Sequence, residues 1–344
     1  MKKKPIIVIL SILLGLIFLL GLLGGIAYYK ICSSAFAVEE PVFVYIDEKQ
    51  EYDDLITLLK KNAYLKNSEL FISLASAMKY PENMKPGKYE IKPDMSYWDA
   101  IRMFRSGAQV PINLTFNNIR LKKDFAERIG TQLMFDSAVL LEKLNDETVC
   151  QSLGLDTTTI LTLFIPNTYE MYWTVSVDKF LERMKNEHTR FWNTERLAKA
   201  QSINLTPAEV CILASIVEEE TAVRAEFPVV AGLYLNRLKK GMLLQADPTV
   251  KFAVGDVTLK RILFKHLEVE SPYNTYRNPG LTPGPIRVPS IHAIDGVLNY
   301  QKHSYLYMCA KEDFSGTHNF AVTLREHNEN ARKYQSALNR NNIR

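Results

Sequence analysis

Cysteine is scarce and dispersed: Cys32, Cys150, Cys211 and Cys309 are the four in 344 residues, with no Cys-x-x-Cys pair and no Cys/His cluster at zinc-ligand spacing. A disulfide-stapled scaffold and a structural zinc site are thereby excluded, and no metal or cofactor is expected. Cys211 and Cys309, set in apolar runs, read as buried free thiols. Surplus charge is lacking too. Lys2, Lys3, Lys4 and Lys30 account for the formal net charge of +4, and beyond Lys30 the basic residues equal the acidic ones in number. Nucleic acid is therefore not an expected partner, since it calls for a basic stripe. No Gly-x-Ser-x-Gly elbow and no His-Glu-x-x-His occur, which disfavours a serine hydrolase and a zinc peptidase.

Only one long apolar run is present. After Lys2, Lys3 and Lys4 the chain is uncharged from Pro5 to Tyr29, close to the roughly twenty apolar residues that span a bilayer. The run exceeds a signal-peptide core and no small-x-small cleavage site follows, so it reads as a retained anchor. The lysines place the N-terminus in the cytoplasm and the rest of the chain outside the plasma (inner) membrane, on the periplasmic or extracytoplasmic side.

The fold class expected is α+β: one transmembrane helix, a small α+β module and a larger α+β catalytic domain. Residues 1–30 form the lysines and anchor, and 31–41 a linker. In 42–108 the strand Val42–Ile46, helices Asp53–Asn62 and Glu69–Met78, the strand Lys88–Ile91 and a Ser96-capped helix ending at Gly107 make the module. Residues 109–202 read as a middle α+β region, with a strand at Gln109–Phe116 and helices at Lys122–Gly130, Asp136–Leu144 and Val177–Thr194. Its aromatic stretch Leu163–Trp173 suits either a core or a platform for sugar rings. The catalytic domain is assigned to 203–344.

That domain is organised around Thr206-Pro-Ala-Glu-Val-Cys-Ile-Leu-Ala-Ser-Ile-Val-Glu-Glu-Glu-Thr221. Thr206, Pro207 and Glu209 supply an N-cap, a first-turn proline and a capping box. Its C-terminal end carries Glu218, Glu219 and Glu220 against the macrodipole, an arrangement unfavourable for stability. At 100° per residue Glu220 falls on the apolar face and is expected to be a structural ion-pair member, with Arg224 or Arg237 as partner. Glu218 falls opposite, above Cys211, Ala214 and Ser215, where small side chains would let a bulky ligand approach. A carboxyl partly desolvated beside like charges is expected to hold a proton at neutral pH, as a general acid must. Downstream, Gln245, Asp247 and Thr249 alternate along an expected extended run, Met242–Phe252. The proline- and glycine-dense loop Ser271–Pro289 presents Tyr273, Asn274 and Tyr276. Such a loop serves as a functional wall, and its amides and phenols can donate and accept toward sugar hydroxyls.

One outstanding acid among amides and tyrosines fits cleavage of a polysaccharide, where the glycosidic oxygen leaves only when protonated. Hydrolysis adds a second carboxylate, for which Asp247 is the candidate. A lytic transglycosylase dispenses with it, because the C6 hydroxyl of the muramoyl sugar attacks and closes a 1,6-anhydro ring.

Several motifs in fixed order are similar to the YceG-like (MltG) family of endolytic murein transglycosylases. They are Leu213-Ala-Ser-Ile-Val-Glu-Glu-Glu-Thr221, Val230-Ala-Gly-Leu-Tyr-Leu-Asn-Arg-Leu238, Gly241-Met-Leu-Leu-Gln-Ala-Asp-Pro-Thr-Val250, Ser271-Pro-Tyr-Asn-Thr-Tyr276, Gly280-Leu-Thr-Pro-Gly-Pro-Ile286, Tyr305-Leu-Tyr307 and His318-Asn-Phe320. The 42–108 module likewise resembles the LysM-like module of murein-binding proteins. The resemblance implies that Glu218, at the family's position for its catalytic glutamate, is the general acid. It implies that Gln245, Asp247, Thr249, Tyr273, Asn274, Tyr276 and His318 bind substrate. It further implies a cut in nascent peptidoglycan strands that limits glycan length, with penicillin-binding proteins as neighbours. A muramidase pairing Glu218 with Asp247 and a non-catalytic murein-binding scaffold are the alternatives.

Overall fold

An apolar run without a helix breaker becomes one helix, α1 (Lys4–Cys32), whose stretch Ile7–Cys32 is long and apolar enough to cross a membrane. The computed structural model describes residues 4–256, 258–259 and 262–341. Lys2 and Lys3, on which the expected orientation partly rests, lie outside the described residues. The architecture is α+β, and beyond α1 the chain divides into two units.

The smaller unit comprises residues up to Asn113 together with Glu170–Val175. Its elements are β1 (Val42–Ile46), α2 (Tyr52–Lys61), α3 (Ser68–Ala77), β2 (Gly87–Ile91) and α4 (Tyr97–Ser106). β1 and β2 pair antiparallel with Val44 opposite Tyr89 and Val42 opposite Ile91, so alternate residues of both strands enter the core. Ser96 caps α4 by accepting from the Asp99 amide, and Gly107 closes it at φ 74°. Tyr80, Tyr89 and Phe104 interlock at the centre, with ring centroids 5.0 and 6.0 Å apart.

The expected linker 31–41 is part of this unit. Ala35 and Phe36 are 0% and 1% exposed, Ala35 N–H donates to the Met95 carbonyl at 2.9 Å, and Ala37 N–H to that of Tyr64 at 2.7 Å. Burying Phe36 is worth about 2 kcal/mol, enough to hold a segment that composition alone leaves looking free.

The larger unit comprises Leu114–Tyr169 and Ser176–Arg344, so most of the middle region folds with the C-terminal part. The strand β3 (Ile112–Thr115) leads to α5 (Lys122–Gly130), α6 (Ser137–Asn145), α7 (Glu147–Ser152), β4 (Thr168–Met171), α8 (Val177–Phe191) and α9 (Thr194–Ser202). Phe116, Phe125, Phe164, Tyr169 and Phe180 are buried together here, so this end of the Leu163–Trp173 stretch packs as core. Next come α10 (Pro207–Glu220), α11 (Phe227–Lys239), α12 (Asp247–Val254), α13 (Phe264–Leu267), α14 (Ile291–Leu298), β5 (Tyr307–Ala310), β6 (His318–Ala321) and α15 (Leu324–Arg340). β5 and β6 form an antiparallel pair with Tyr307 opposite Ala321.

α10 is the axis of this unit. Every residue from Val210 to Val217 is buried, against α9, α11, α12 and α14. The expected extended run is replaced from Asp247 onward by α12, because an acid and a proline in successive positions make a helix start.

Candidate active site

α10 starts as its sequence dictates. Thr206 Oγ1 accepts from the Glu209 amide at 3.2 Å, and the Glu209 carboxylate accepts from the Thr206 amide at 2.8 Å. At its other end three adjacent glutamates meet three different environments.

Glu218 accepts from the Ser290 amide at 2.8 Å and lies 3.5 Å from Arg287 Nε. It lines a cavity of about 590 Å³ that also includes Asn117, Asn167, Arg224 and His292. The small-residue side beneath it is not open to a ligand. Cys211, Ala214 and Ser215 are fully buried, and the chain's own proline-rich loop fills the space, with Ile286 N–H donating to Ser215 Oγ at 3.1 Å.

Glu219 is held by two arginines: Arg120 Nη2 at 2.7 and 2.9 Å from its two oxygens, and Arg287 Nη1 at 2.7 Å. These guanidinium groups offset charge that would otherwise oppose the helix dipole.

Glu220 has no ion pair among the described residues. Its Oε1 accepts from the Tyr234 hydroxyl at 2.6 Å. Burial pushes the carboxyl up to about 7, although the Tyr234 hydrogen bond pulls the other way. Neither expected partner pairs with it. Arg237 donates to the carbonyls of Leu306 at 2.6 Å and Leu244 at 2.8 Å, and Arg224 lines the Glu218 cavity. Glu220, expected to be a structural ion-pair member, is thus a carboxyl that burial raises.

Glu220 lines a different cavity, of about 350 Å³, and the structure brings Gln245, Asp247, Tyr276 and His318 to its walls. Gln245 sits at φ 49°, a left-handed conformation that side chains other than glycine seldom adopt. Its amide N–H is tied to the Thr275 carbonyl at 3.1 Å, and its Oε1 accepts from Arg237 at 3.3 Å. Strain of this kind is concentrated at ligand sites. Tyr276 donates its hydroxyl to Asp247 at 2.6 Å. His318 faces Glu226, which accepts its backbone N–H at 2.7 Å and lies 2.9 Å from Nδ1. Burial would raise the Glu226 carboxyl, but the donors from His318 and Thr221 hold it below the usual range. An ionised Glu226 requires the proton on Nδ1, leaving Nε2 of His318 for a ligand.

Three residues expected at the substrate do not line this cavity. Thr249 is fully buried and spends its hydroxyl on the Ala246 carbonyl and Thr275. Asn274, also fully buried, donates to the carbonyls of Leu267 and Val269 at 2.9 Å each and accepts from the Tyr276 amide. It shapes the loop that carries Tyr276. Tyr273 packs against Phe252 with ring centroids 4.8 Å apart and planes tilted by 44°, and its hydroxyl approaches Gly284, where a Cβ would collide with the Thr158 carbonyl. Tyr234 and Tyr307, present in the sequence only as motif members with no role assigned, and Arg237, expected only as an ion-pair partner, also line the cavity. Tyr234 lies fourteen residues from its partner Glu220, on the next helix, and no local spacing signals that approach.

The arrangement can present a proton. Oε1 of Glu220 is occupied by a donor, so a proton on this carboxyl rests on Oε2, and a wall of hydroxyl, amide and imidazole groups surrounds the cavity. Among the described residues no group of three or more His, Cys, Asp or Glu is placed to hold a metal ion.

Residues 44–333 match the sequence model of the YceG-like family. An endolytic murein transglycosylase of Bacillus subtilis is 29% identical over 301 residues, covering 83% of this chain and 82% of that protein. One from Streptococcus pneumoniae is 26% identical over 87% of this chain, which spans 59% of the pneumococcal protein. The 2.6 Å crystal structure of a yceG-like protein from Listeria monocytogenes superposes with a TM-score of 0.58 at 26% identity, covering 85% of this chain and 99% of that one.

Proposed function

The chain belongs to the YceG-like family, and we propose that it is an endolytic lytic transglycosylase that cuts the MurNAc–GlcNAc bond of peptidoglycan strands with Glu220 as general acid and then general base. The observation that supports this best is the carboxyl raised to about 7, in a cavity shared with Gln245, Asp247, Tyr276 and His318. A group of that pKa is protonated often enough to donate and acidic enough to give the proton up. In the proposed step the glycosidic oxygen takes the Glu220 proton as its bond to the muramoyl C1 breaks. The muramoyl C6 hydroxyl then bonds to C1 and returns its proton to Glu220. No water is consumed, and the strand gains a 1,6-anhydro end that limits its length.

Glu218 is the rival for this role, on the strength of the motif resemblance. A muramidase is the second reading, favoured by the Asp247 carboxylate in the same cavity, though its partner there is Glu220 instead of Glu218. Mass spectrometry of digested glycan strands separates the products. Anhydro ends, lighter by one water than reducing ends, are expected; reducing ends alone would make the enzyme a hydrolase, and intact strands would leave a binding scaffold.

The proposal extends to location. With Ala35 and Phe36 packed in the smaller unit, three residues separate Cys32 from Phe36, reaching about 13 Å at most. A LysM-like module so close to an anchored, outward-facing terminus would keep the enzyme at membrane-proximal, newly made strands. Penicillin-binding proteins would then be its neighbours in the plasma membrane.

A further inference from the structure

In the smaller unit α1 runs into the folded part without a hinge. Its last turn is closed by Ser33, whose amide and hydroxyl donate to the Lys30 carbonyl at 3.3 and 2.7 Å. Ser34 then pairs with Ser96 as an antiparallel bridge, and its hydroxyl donates to the Pro93 carbonyl at 2.6 Å. Ile31 is half-buried, and α1 packs on α4. The end of α1 and the start of α4 are therefore one piece.

Length places that piece relative to a membrane. The 29 residues of α1, at about 1.5 Å each, make roughly 43 Å, and a bilayer with its headgroup layers is about 40 to 45 Å thick. A spanning α1 thus ends at the outer headgroups, with the Ser34–Ser96 bridge against them. Trp98 follows two residues later, its backbone within about 12 Å of Ser34.

The surroundings of Trp98 fit that position. Its helix neighbours Tyr97, Ala100, Ile101 and Phe104 enter the core, whereas Trp98 is 46% exposed. The exposed aromatics of β1 are partly covered by the protein itself: Lys88 Nζ lies 4.0 Å from the Phe43 ring centre, and Trp173 packs edge-on against Tyr45 at 5.1 Å. Trp98 has no aromatic or cationic partner of this kind among the described residues. Tyr28 and Tyr29 are exposed at the same end of α1. Trp and Tyr concentrate at the headgroup level, where the ring meets apolar chains and its N–H or O–H meets water. Charge agrees. Lys66 Nζ donates to Ser34 Oγ at 3.0 Å, and Lys30 stands in the last turn of α1. Asp99 is engaged by the Ser96 hydroxyl at 2.6 Å, so Asp94 stands against two ammonium groups. Lipid phosphates suit lysines held at that level.

We propose that the smaller unit lies directly on the outer leaflet, with the Trp98 indole in the headgroup layer together with Tyr28 and Tyr29, and with Lys30 and Lys66 on lipid phosphates. The proposal rests on α1 spanning the membrane. It gives the unit a second membrane contact that fixes its tilt, where the anchor alone fixes only its distance.

The test is fluorescence of the full chain reconstituted in vesicles of phosphatidylethanolamine and phosphatidylglycerol. The emission lost in Trp98→Phe separates Trp98 from Trp173 and Trp192. Lipids brominated near the headgroup end of the acyl chain should quench that component at least about twofold more than lipids brominated near the terminal methyl, and aqueous iodide should reach it poorly. Lys66→Glu should raise its iodide quenching about twofold, with Lys66→Gln in between. Circular dichroism confirms that each variant is folded. Flotation with the vesicles checks the anchor by itself. A chain that does not float overturns the anchor reading and the proposal with it. A chain that floats while Trp98 is quenched by iodide and not by brominated lipid keeps the anchor and overturns the proposal. Indifference to Lys66→Glu overturns the phosphate contact. A Trp98 signal that moves on addition of isolated glycan strands, and not with lipid, would assign this surface to glycan and overturn the proposal equally.

Discussion

Glu218 and Glu220 are identical side chains two residues apart on one helical turn, and they differ in everything that chemistry uses. Glu218 is answered by an arginine and a backbone amide, both of which are donors. Glu220 is answered by a phenol and lines the other cavity half-buried, and burial pushes its carboxyl up to about 7. Burial, not residue type, raises the Glu220 carboxyl, against the pull of its Tyr234 hydrogen bond. The contrast also bears on the unfavourable end of α10: Glu218 and Glu219 are offset by arginines, and burial favours the neutral form of Glu220.

The comparison breaks first under isosteric substitution. Glu220→Gln should lower turnover by about 10²- to 10⁴-fold, the usual worth of a general acid. Glu218→Gln should stay within about tenfold of the parent protein when anhydro-muropeptide release is followed by mass spectrometry. The reverse ranking would return the acid role to Glu218.

The stability of the two sides should separate next. Arg287 touches Glu218, Glu219 and Asn118 and is 13% exposed, so Arg287→Ala should cost about 2 to 3 kcal/mol in denaturant unfolding. Glu220 acts in the opposite sense. Its folded pKa lies above its unfolded value, so the folded state binds the extra proton. Its contribution is full below about 4.5 and is lost as pH rises through about 7. Glu220→Gln removes that loss, and at pH 8 should leave the protein as stable as the parent or more stable by about 1 to 3 kcal/mol. A marked destabilisation at pH 8 would restore the ion-pair role expected from the helical wheel.

Smaller effects sharpen the contrast. The Tyr234 hydrogen bond lowers the Glu220 pKa, so Tyr234→Phe should move the alkaline limb of kcat/KM upward by about one pH unit. An unmoved limb would separate the phenol from the titrating group. Thr206→Ala, at the far end of α10, should cost about 1 kcal/mol through its capping box while leaving that limb in place, which controls for loss of helix stability alone.

Most of the fold was legible because its signals are local. The capping box of α10, Gly107 and the apolar periodicities of α2, α4, α5 and α8 each act within one or two turns. Gln245, Asp247, Tyr276 and His318 were legible as a set from motif order. What was not legible depends on long-range packing. The helical wheel placed Glu220 on the buried side correctly, but burial alone does not distinguish an ion pair from a neutral acid. That depended on Arg237 being consumed by the Leu244 and Leu306 carbonyls. The open space expected beside Ser215 was lost to Ile286, 71 residues away. Asn274 was assigned to the substrate because an amide in a loop reads the same whether it faces sugar or its own backbone.

The central claim, that Glu220 is the acid kept protonated near neutrality, is tested most directly by carbon-13 NMR titration of the glutamate side-chain carboxyls in the full chain, with Glu220→Gln assigning the resonance. A signal that titrates at about pH 7 and vanishes in Glu220→Gln is the predicted result. A Glu220 carboxyl titrating at about 4 to 5, in the ordinary range for glutamate, would contradict it.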